Sequence, residues 1–380
     1  MIYADLHIHI GQSLDGRAVK ITAAKSLTLP NIIETAQEVK GLSLIGVIDA
    51  QSPGVRKDFQ FLLAEGGLHP LSGGGYASGK LTIIPGTEIE LKAGSGSAHF
   101  LAFFPAIEHL ERYAKNLSPY VKNLQLSSQK AYLAVSDWLE IVHENAGVWL
   151  PAHAFTPHKG IYGNCCSRLA EVLPEMPKAL EIGLSADRVM ALSVSELERV
   201  QLFSNSDAHS LPNIAREYNA LSLRDNSFAG LHELLAGASG EIIHNYGLPP
   251  KIGKYHRTYC LVCEQVVEGE PPQFTCPHCG SSHVVMGVLD RLNVIADRTA
   301  PEDSRYQYQV PLRQLPGIGP KTYSRLLAAF GTEMAILHDV AEQDLAKVSG
   351  DKAAHWIMKA RSGQLEFSAG GGGVFGHVRK

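Results

Sequence analysis

Along residues 1 to about 245, short apolar runs alternate with amphipathic stretches, a rhythm that predicts β/α units. The segment LTLPNIIETAQEVKG (27–41) reads as a helix, with Pro30 near its first turn and Gly41 beyond its end. LSLIGVID (42–49) follows as a buried strand, and IIPGTEIEL, AHFLAFF, VWLPAHAF, ALEIGL and VQLFSNSDAHS are further strand-like runs. The pattern changes after Gly247-Leu-Pro-Pro-Lys251, which looks like a linker. Four parts are expected: an α/β domain over 1–247, a small cysteine-bearing domain over 255–288, a helical domain over 305–365, and a Gly-rich tail over 366–380. No internal repeat at a solenoid period is visible.

Composition narrows the class. Of 380 residues, 45% are hydrophobic and 19% charged, which excludes disorder, collagen and coiled coil. No apolar run reaches the ~18 residues of a membrane span. The N-terminal MIYADLHIHIG lacks a signal-peptide pattern, so a cytoplasmic location is expected, with no membrane partner. The net charge is −4, unevenly spread: residues 1–250 hold 19 basic against 25 acidic side chains, and residues 251–380 hold 15 against 13. Neither part is basic enough to bind nucleic acid by bulk charge, so any such contact must rest on local motifs.

Cysteine spacing is the sharpest local signal. Cys260-Leu-Val-Cys263 and Cys276-Pro-His-Cys279 form two CxxC pairs, the spacing of a four-thiolate structural zinc site. Two disulfides are the competing reading, disfavoured where thiols stay reduced. His278 and His283 lie close by, but four thiolates already complete a tetrahedron. Cys165 and Cys166 read as two small apolar residues near a loop.

The first part carries a second set of metal-ligand types, at what look like the C-terminal ends of strands. His7 and His9 in Asp5-Leu-His7-Ile-His9 alternate, so both point to one face. Asp49 ends the next strand, Glu88 closes IIPGTE, and His99 enters AHFLAFF; His153 ends VWLPAH, and Asp207 and His209 alternate again. Strand C-termini are where barrel enzymes place their chemistry. Imidazoles mixed with carboxylates suit zinc, manganese or iron rather than calcium. Any one of these histidines is most simply a core or surface residue. Their clustering at strand ends is the evidence.

DLHIH, VID, PGTEIE, AHFLAF, PAHAF and NSDAH, in this order, resemble the motifs of the PHP (polymerase and histidinol phosphatase) superfamily across residues 1–245. The resemblance implies a distorted seven-stranded β/α barrel and two or three divalent ions (zinc, manganese or magnesium) for phosphoester hydrolysis by a metal-activated hydroxide. By position, His7, His9, Glu88 and Asp207 would hold one ion. Glu88, bridging, would hold a second with His99 and His153, and His209 a third with Asp49 or Asp15. The chain departs from the family at Asp49-Ala50, where Asp-His is frequent, and the departure falls on the third site. The chemistry calls for no serine or cysteine nucleophile and no nucleotide cofactor. His158 and Lys159 read either as phosphate contacts or as a solvated loop.

Leu315-Pro-Gly317-Ile-Gly319-Pro-Lys321-Thr322, followed by YSRLLAAFG, resembles the helix-hairpin-helix of DNA repair proteins. Its glycines would let N–H groups at a helix start approach a phosphate, which holds a duplex without reading its sequence. A tight turn between packed helices is the alternative. Val348-Ser-Gly350-Asp-Lys352 has a looser version of the same shape.

A PHP part, a four-cysteine segment and a helix-hairpin-helix region, together with VIDAQSPGV and PAHAFTPHKGIYG, resemble the endonuclease Q family over nearly the whole chain. That resemblance implies a metal-dependent nick on the 5′ side of uracil, hypoxanthine, xanthine or an abasic site, leaving 3′-hydroxyl and 5′-phosphate. The partner would be damaged DNA, duplex or single-stranded, with the lesion extruded near the metals. Phe155, Tyr162 and Tyr76 would either stack on a base or pack in the core. Two alternatives stand: a phosphoesterase acting on DNA ends or small esters, and a non-catalytic DNA-binding scaffold. The zinc and hairpin segments argue against a small ester, and the intact ligand set argues against a scaffold. Gln364-Leu-Glu-Phe367 resembles a sliding-clamp peptide, or simply ends a helix.

Overall fold

The computed structural model describes residues 1–370 and 372–379, so Gly371 and Lys380 of the expected tail lie outside the described residues. Helix 29–34 continues as a π-helical segment over 35–40, with Pro30 in its first turn and Gly41 closing it at φ 79°. Glycine adopts that left-handed conformation at little cost.

The strands of the first part are β1 (Ile2–Ile8), β2 (Leu44–Val47), the short β3 (His69–Pro70) and β4 (Tyr76–Ser78), β5 (Leu81–Ala93), β6 (Gly96–Phe103), β7 (Val148–Pro151), β8 (Ala179–Glu181), β9 (Gln201–Phe203), β10 (Tyr218–Ser222) and β11 (Glu241–Gly247). β1, β2 and β5 run parallel, β6 is antiparallel to both β5 and β7, and β8 runs parallel to β9. Two joints close these seven strands into a ring. Ala154 N donates to Glu181 O (2.8 Å) between β7 and β8. Past β9, His9 N donates to Ala208 O (3.1 Å) and Ala208 N to His7 O (3.0 Å). The first half of that same edge of β1 pairs antiparallel with β10. The fold is thus the distorted seven-stranded barrel of the sequence reading.

Side-chain alternation makes the lumen apolar below and polar above. Leu6, Leu44, Ile84, Leu101, Phe103, Leu150, Ala179 and Phe203 pack there as one buried cluster, closed by helix 228–235 through Leu231 and Leu234. Gly46 and Gly86 make room for the Phe103 ring: a Cβ on either would come within 2.9 Å of it. Further up the same faces, Ile84 gives way to Glu88, Leu101 to His99, and Phe203 to Asp207. β1 reaches the same outcome through a register irregularity against β2 between Asp5 and Ile8. A second, larger cluster fills the space between the barrel and its helices.

The cysteine segment adds a two-stranded sheet, β12 (Tyr259–Cys260) with β13 (Val284–Val285). β14 (Tyr306–Tyr308) then joins the barrel's sheet beside β11. Helices 320–330, 342–349 and 351–361 follow. They are anchored to the barrel by a buried ion pair, Lys40 Nζ to Glu333 Oε1 at 2.9 Å, in which Tyr323 OH shares the carboxylate. Burial pulls the Lys40 amine below its ordinary pKa, against the pull of Glu333. His338 stacks on Tyr3 (4.8 Å between centroids) beside Tyr218 and Tyr246, completing the junction.

Candidate active site

Glu88 is the hub of the barrel's upper end. Its Oε1 lies 2.9 Å from His99 Nδ1, 3.4 Å from His153 Nε2 and 3.6 Å from His7 Nε2, while Oε2 lies 3.7 Å from His9 Nε2. Asp207 Oδ1 faces the same space, 3.5 Å from His7 Nε2 and 3.3 Å from His9 Nε2. Three overlapping donor groups result: His7, His9 and Glu88; Glu88, His99 and His153; and His9, Asp207 and His209. Of the residues that the sequence singled out for this centre, seven converge, all but Asp49 and Asp15. Glu88 and His99 do so from mid-strand rather than from strand ends. β5 runs on to Ala93 and pairs along its length with the antiparallel β6, so the expected rule of parallel-strand C-termini does not cover them.

The donor atoms fit transition-metal ions. His7 Nε2 and His9 Nε2, which face Glu88 and Asp207, are buried without a hydrogen-bond partner among the described residues, and buried nitrogens are rarely left so. Two of the imidazoles are oriented from behind. His7 Nδ1 meets Glu181 Oε2 at 2.9 Å, and His9 Nδ1 meets Asp49 Oδ2 at 3.0 Å. A carboxylate on one ring nitrogen fixes the tautomer and aims the other lone pair into the centre. Burial opposes ionisation of Glu88 and Asp207. The surrounding groups (His99 and Lys20 for the first, His9, His7 and His209 for the second) nevertheless hold both well below the usual carboxylate range. Burial also draws His209 down to about 4, which leaves the ring neutral. His153 and Asp207 both have positive φ, 30° and 46°, a conformation that non-glycine residues reach mainly at constrained sites.

Some expected positions lie elsewhere. Asp49, read as a third-ion ligand, stands behind His9, and its Oδ2 also accepts from Ile10 N (2.7 Å). Asp15 lies on an exposed turn, bonded to Ser13 and Arg17. Phe155 and Tyr162 are buried against each other (5.1 Å, 12° between planes), and Tyr76 is buried with its hydroxyl accepting from Ile107 N. All three are core residues, and none of them lines the cavity above the donors. The sequence reading also missed two residues. Glu181 lies in ALEIGL, a strand-like run to which the sequence reading assigns no chemistry, although its alternation with Ala179 places it on the lumen face. Lys20 lies in a loop with no motif, yet its Nζ is 3.1 Å from Glu88 Oε2.

Above the donors opens a cavity of about 610 Å³ whose wall includes Lys20, His158, Lys159, Arg216 and Lys254. This basic rim surrounds an acidic floor, an arrangement suited to a phosphate approaching bound cations.

Two further sites lie apart from this cavity. The sulfur atoms of Cys260 and Cys279 are 3.6 Å apart, and those of Cys263 and Cys276 3.5 Å. These separations are far too long for disulfides. They match the ~3.8 Å edge of a tetrahedron with ~2.3 Å zinc–sulfur bonds. His278 and His283 are exposed and outside the group. At the hairpin, Gly317 takes φ 85° and Gly319 caps helix 320–330 with extended backbone. The N–H groups of Gly317, Gly319, Lys321 and Thr322 meet no acceptor among the described residues. At the C-terminal side, Leu365 and Phe367 of the QLEF stretch are buried in the chain's own core, so their side chains are not free to dock on a partner. No helix among the described residues is long and apolar enough to cross a membrane.

No protein-family model matches the sequence. The chain is 45% identical over 386 residues to the uncharacterized protein YqxK of Bacillus subtilis, covering 100% of this chain and 99% of that one. It resembles the crystal structure of the lesion-specific endonuclease PfuEndoQ from Pyrococcus furiosus with a TM-score of 0.84 and 28% identity, over 100% of this chain and 95% of the other. An endonuclease Q complex with a 27-mer duplex bearing an abasic lesion at its active site gives 0.84 and 29%, over 100% and 96%.

Proposed function

The chain belongs to the endonuclease Q family, and from that premise we propose that it is a metal-dependent DNA repair endonuclease. It cuts the phosphodiester on the 5′ side of a deaminated base (uracil, hypoxanthine or xanthine) or an abasic site. The observation that carries this reading is the full-length match to an endonuclease seen with an abasic duplex at its active site. The work divides among the barrel (1–247), which cuts, the cysteine segment (255–288), which is structural, and the helical region (305–365), which grips DNA.

In this reading His7, His9, Glu88 and Asp207 would hold one ion, and Glu88 would hold a second with His99 and His153. Bound there, divalent ions would supply an activated hydroxide and offset charge on the phosphate. The chain's own contribution is geometric. Glu181 and Asp49 keep His7 and His9 in the metal-binding tautomer, and the apolar lumen floor below holds the donor-bearing strands in register. His158, Lys159, Arg216 and Lys254 meet the phosphates on either side of the cut. At the hairpin, the free N–H groups around Gly317 and Gly319, with Lys321 and Thr322, hold a backbone phosphate.

The test incubates the protein and Mn²⁺ or Zn²⁺ with end-labelled duplexes carrying one deoxyuridine, deoxyinosine or abasic site. A discrete nick 5′ to the lesion, with undamaged duplex intact, is expected. Trimming from ends, or retention without cleavage, would replace the proposal with one of the two alternatives. Grip is tested separately by Gly319→Val. A Cβ at Gly319 meets nothing within 4 Å and the backbone there is extended, so the fold tolerates the change. The branched side chain instead stands where a phosphate approaches. Affinity should fall about tenfold, the value of a charge-assisted hydrogen bond or two, and equally for damaged and undamaged duplex. Filter retention measures this, with an unchanged melting temperature as the control for folding.

A further inference from the structure

Lys20 is held at the metal centre by the loop that carries it. Lys20 N donates to Ile10 O and Val19 N to Gly11 O, both at 2.9 Å, which ties the loop to the end of β1. The side chain is 13% exposed, so its stem is buried while its ammonium reaches the cavity. That ammonium lies 3.1 Å from Glu88 Oε2 and also bonds Ser128 Oγ, which itself donates to Glu88 Oε2. The two oxygens of Glu88 therefore differ. Oε1 faces three imidazoles, whereas Oε2 faces His9, a hydroxyl and a fixed cation.

The donors on the Oε2 side are too few for another divalent ion. The group formed by His9, Asp207 and His209 adds only His209 to ligands already used by the first ion. Asp49 is turned onto His9 and Ser127, position 50 is an alanine, and Asp15 points to Ser13 and Arg17. Charge gives the same answer. Four carboxylates contact the imidazoles: Glu88, Asp207, Asp49 and Glu181. Two divalent ions with the ammonium nearly balance them, and a third ion would leave a large positive excess in a buried site.

We propose that the barrel centre holds two divalent ions and that the Lys20 ammonium takes the place of a third, contacting a non-bridging oxygen of the scissile phosphate. A lysine can do this because its charge is compact and its terminal bonds rotate toward the ligand. Pre-set cations on a reacting phosphate act where charge develops, and removing one such group costs about 10²–10³-fold in rate. The phosphate contact rests on the nuclease reading; the ion count does not.

The experiment compares the full-length parent protein with Lys20→Met and Lys20→Arg, after dialysis against buffered Zn²⁺. Metal is counted by mass spectrometry, inorganic phosphate affinity is measured by calorimetry, and nicking of an abasic duplex is followed under single-turnover conditions. The expected count is three ions per chain in all forms: two in the barrel and one on the cysteines. Lys20→Met should bind phosphate about tenfold more weakly and nick about 10²-fold more slowly, with partial recovery in Lys20→Arg. Four ions in the parent protein, or a fourth gained by Lys20→Met, would overturn the proposal, because Lys20 would then merely fill space that an ion takes. Loss of barrel ions from Lys20→Met would also overturn it, making Lys20 a brace for Glu88. So would unchanged phosphate affinity and rate. A parent protein that never nicks refutes the nuclease reading alone, since the ion count and phosphate affinity still decide the role of Lys20.

Discussion

Replacing Glu88 with glutamine should slow nicking by about 10⁴-fold, roughly 5.5 kcal/mol of lost transition-state stabilisation. The size follows from position. Among the described residues, Glu88 is the carboxylate that joins two of the donor groups, with His7, His99 and His153 at one oxygen and His9 at the other. Glutamine matches its shape but offers a single neutral oxygen, so it cannot bridge two cations. Its amide nitrogen would also point at an ion or at the Lys20 ammonium, both repulsive. The fold should survive, because the residue below it on the same face, Gly86, packs on Phe103 whatever occupies position 88. Duplex binding should fall little, since the hairpin at Gly317 and Gly319 is untouched. Single-turnover nicking and filter retention on the same preparation separate the two effects. A variant that nicks within tenfold of the parent rate would show that Glu88 does not bridge the centre.

Replacing Cys276 with serine should release one zinc per chain and unfold the segment between Thr258 and Met286. That segment has almost no core of its own. Its buried cluster is Cys260, Val267 and Cys276, with Cys263 and Val284 packed against it, and its sheet has two residues per strand. So small a sheet is not stable alone. Metal binding must therefore supply the folding energy, and structural zinc sites carry about 10–16 kcal/mol of it. A further fastening is Asp290, whose carboxylate accepts from Thr258 N, Gln273 N and Arg257. Amide hydrogen exchange should show protection lost across 258–286 and kept in the barrel strands. Metal counting should show the barrel's ions unchanged, because none of their ligands lies in this segment. Full zinc content in the variant would remove the structural site from the description.

Legible in the amino-acid sequence alone is whatever the chain repeats over a few residues. His7 and His9 alternate on a strand, the CxxC pairs each place two thiolates on one turn, and Gly317 and Gly319 precede a helix. In each case the backbone period alone sets the geometry, so spacing in sequence is spacing in space. Apolar rhythm likewise marked the strands, and Pro30 and Gly41 marked a helix's ends, because propensity and capping are local. The rest depended on which strand closes against which. Glu181 meets His7 across 174 residues, Asp49 meets His9 across 40, and Lys20 meets Glu88 across 68. No local period links such pairs. They meet because seven strands close into a ring whose lower lumen is filled by Phe103 and its neighbours, forcing polar side chains to share the upper end. The same closure set Asp49 behind His9, bonded to its Nδ1, rather than among the converging donors. It also buried Phe155, Tyr162 and Tyr76, whose sequence could not distinguish a base-stacking ring from a core ring, since both are aromatic residues near loops and only burial separates them.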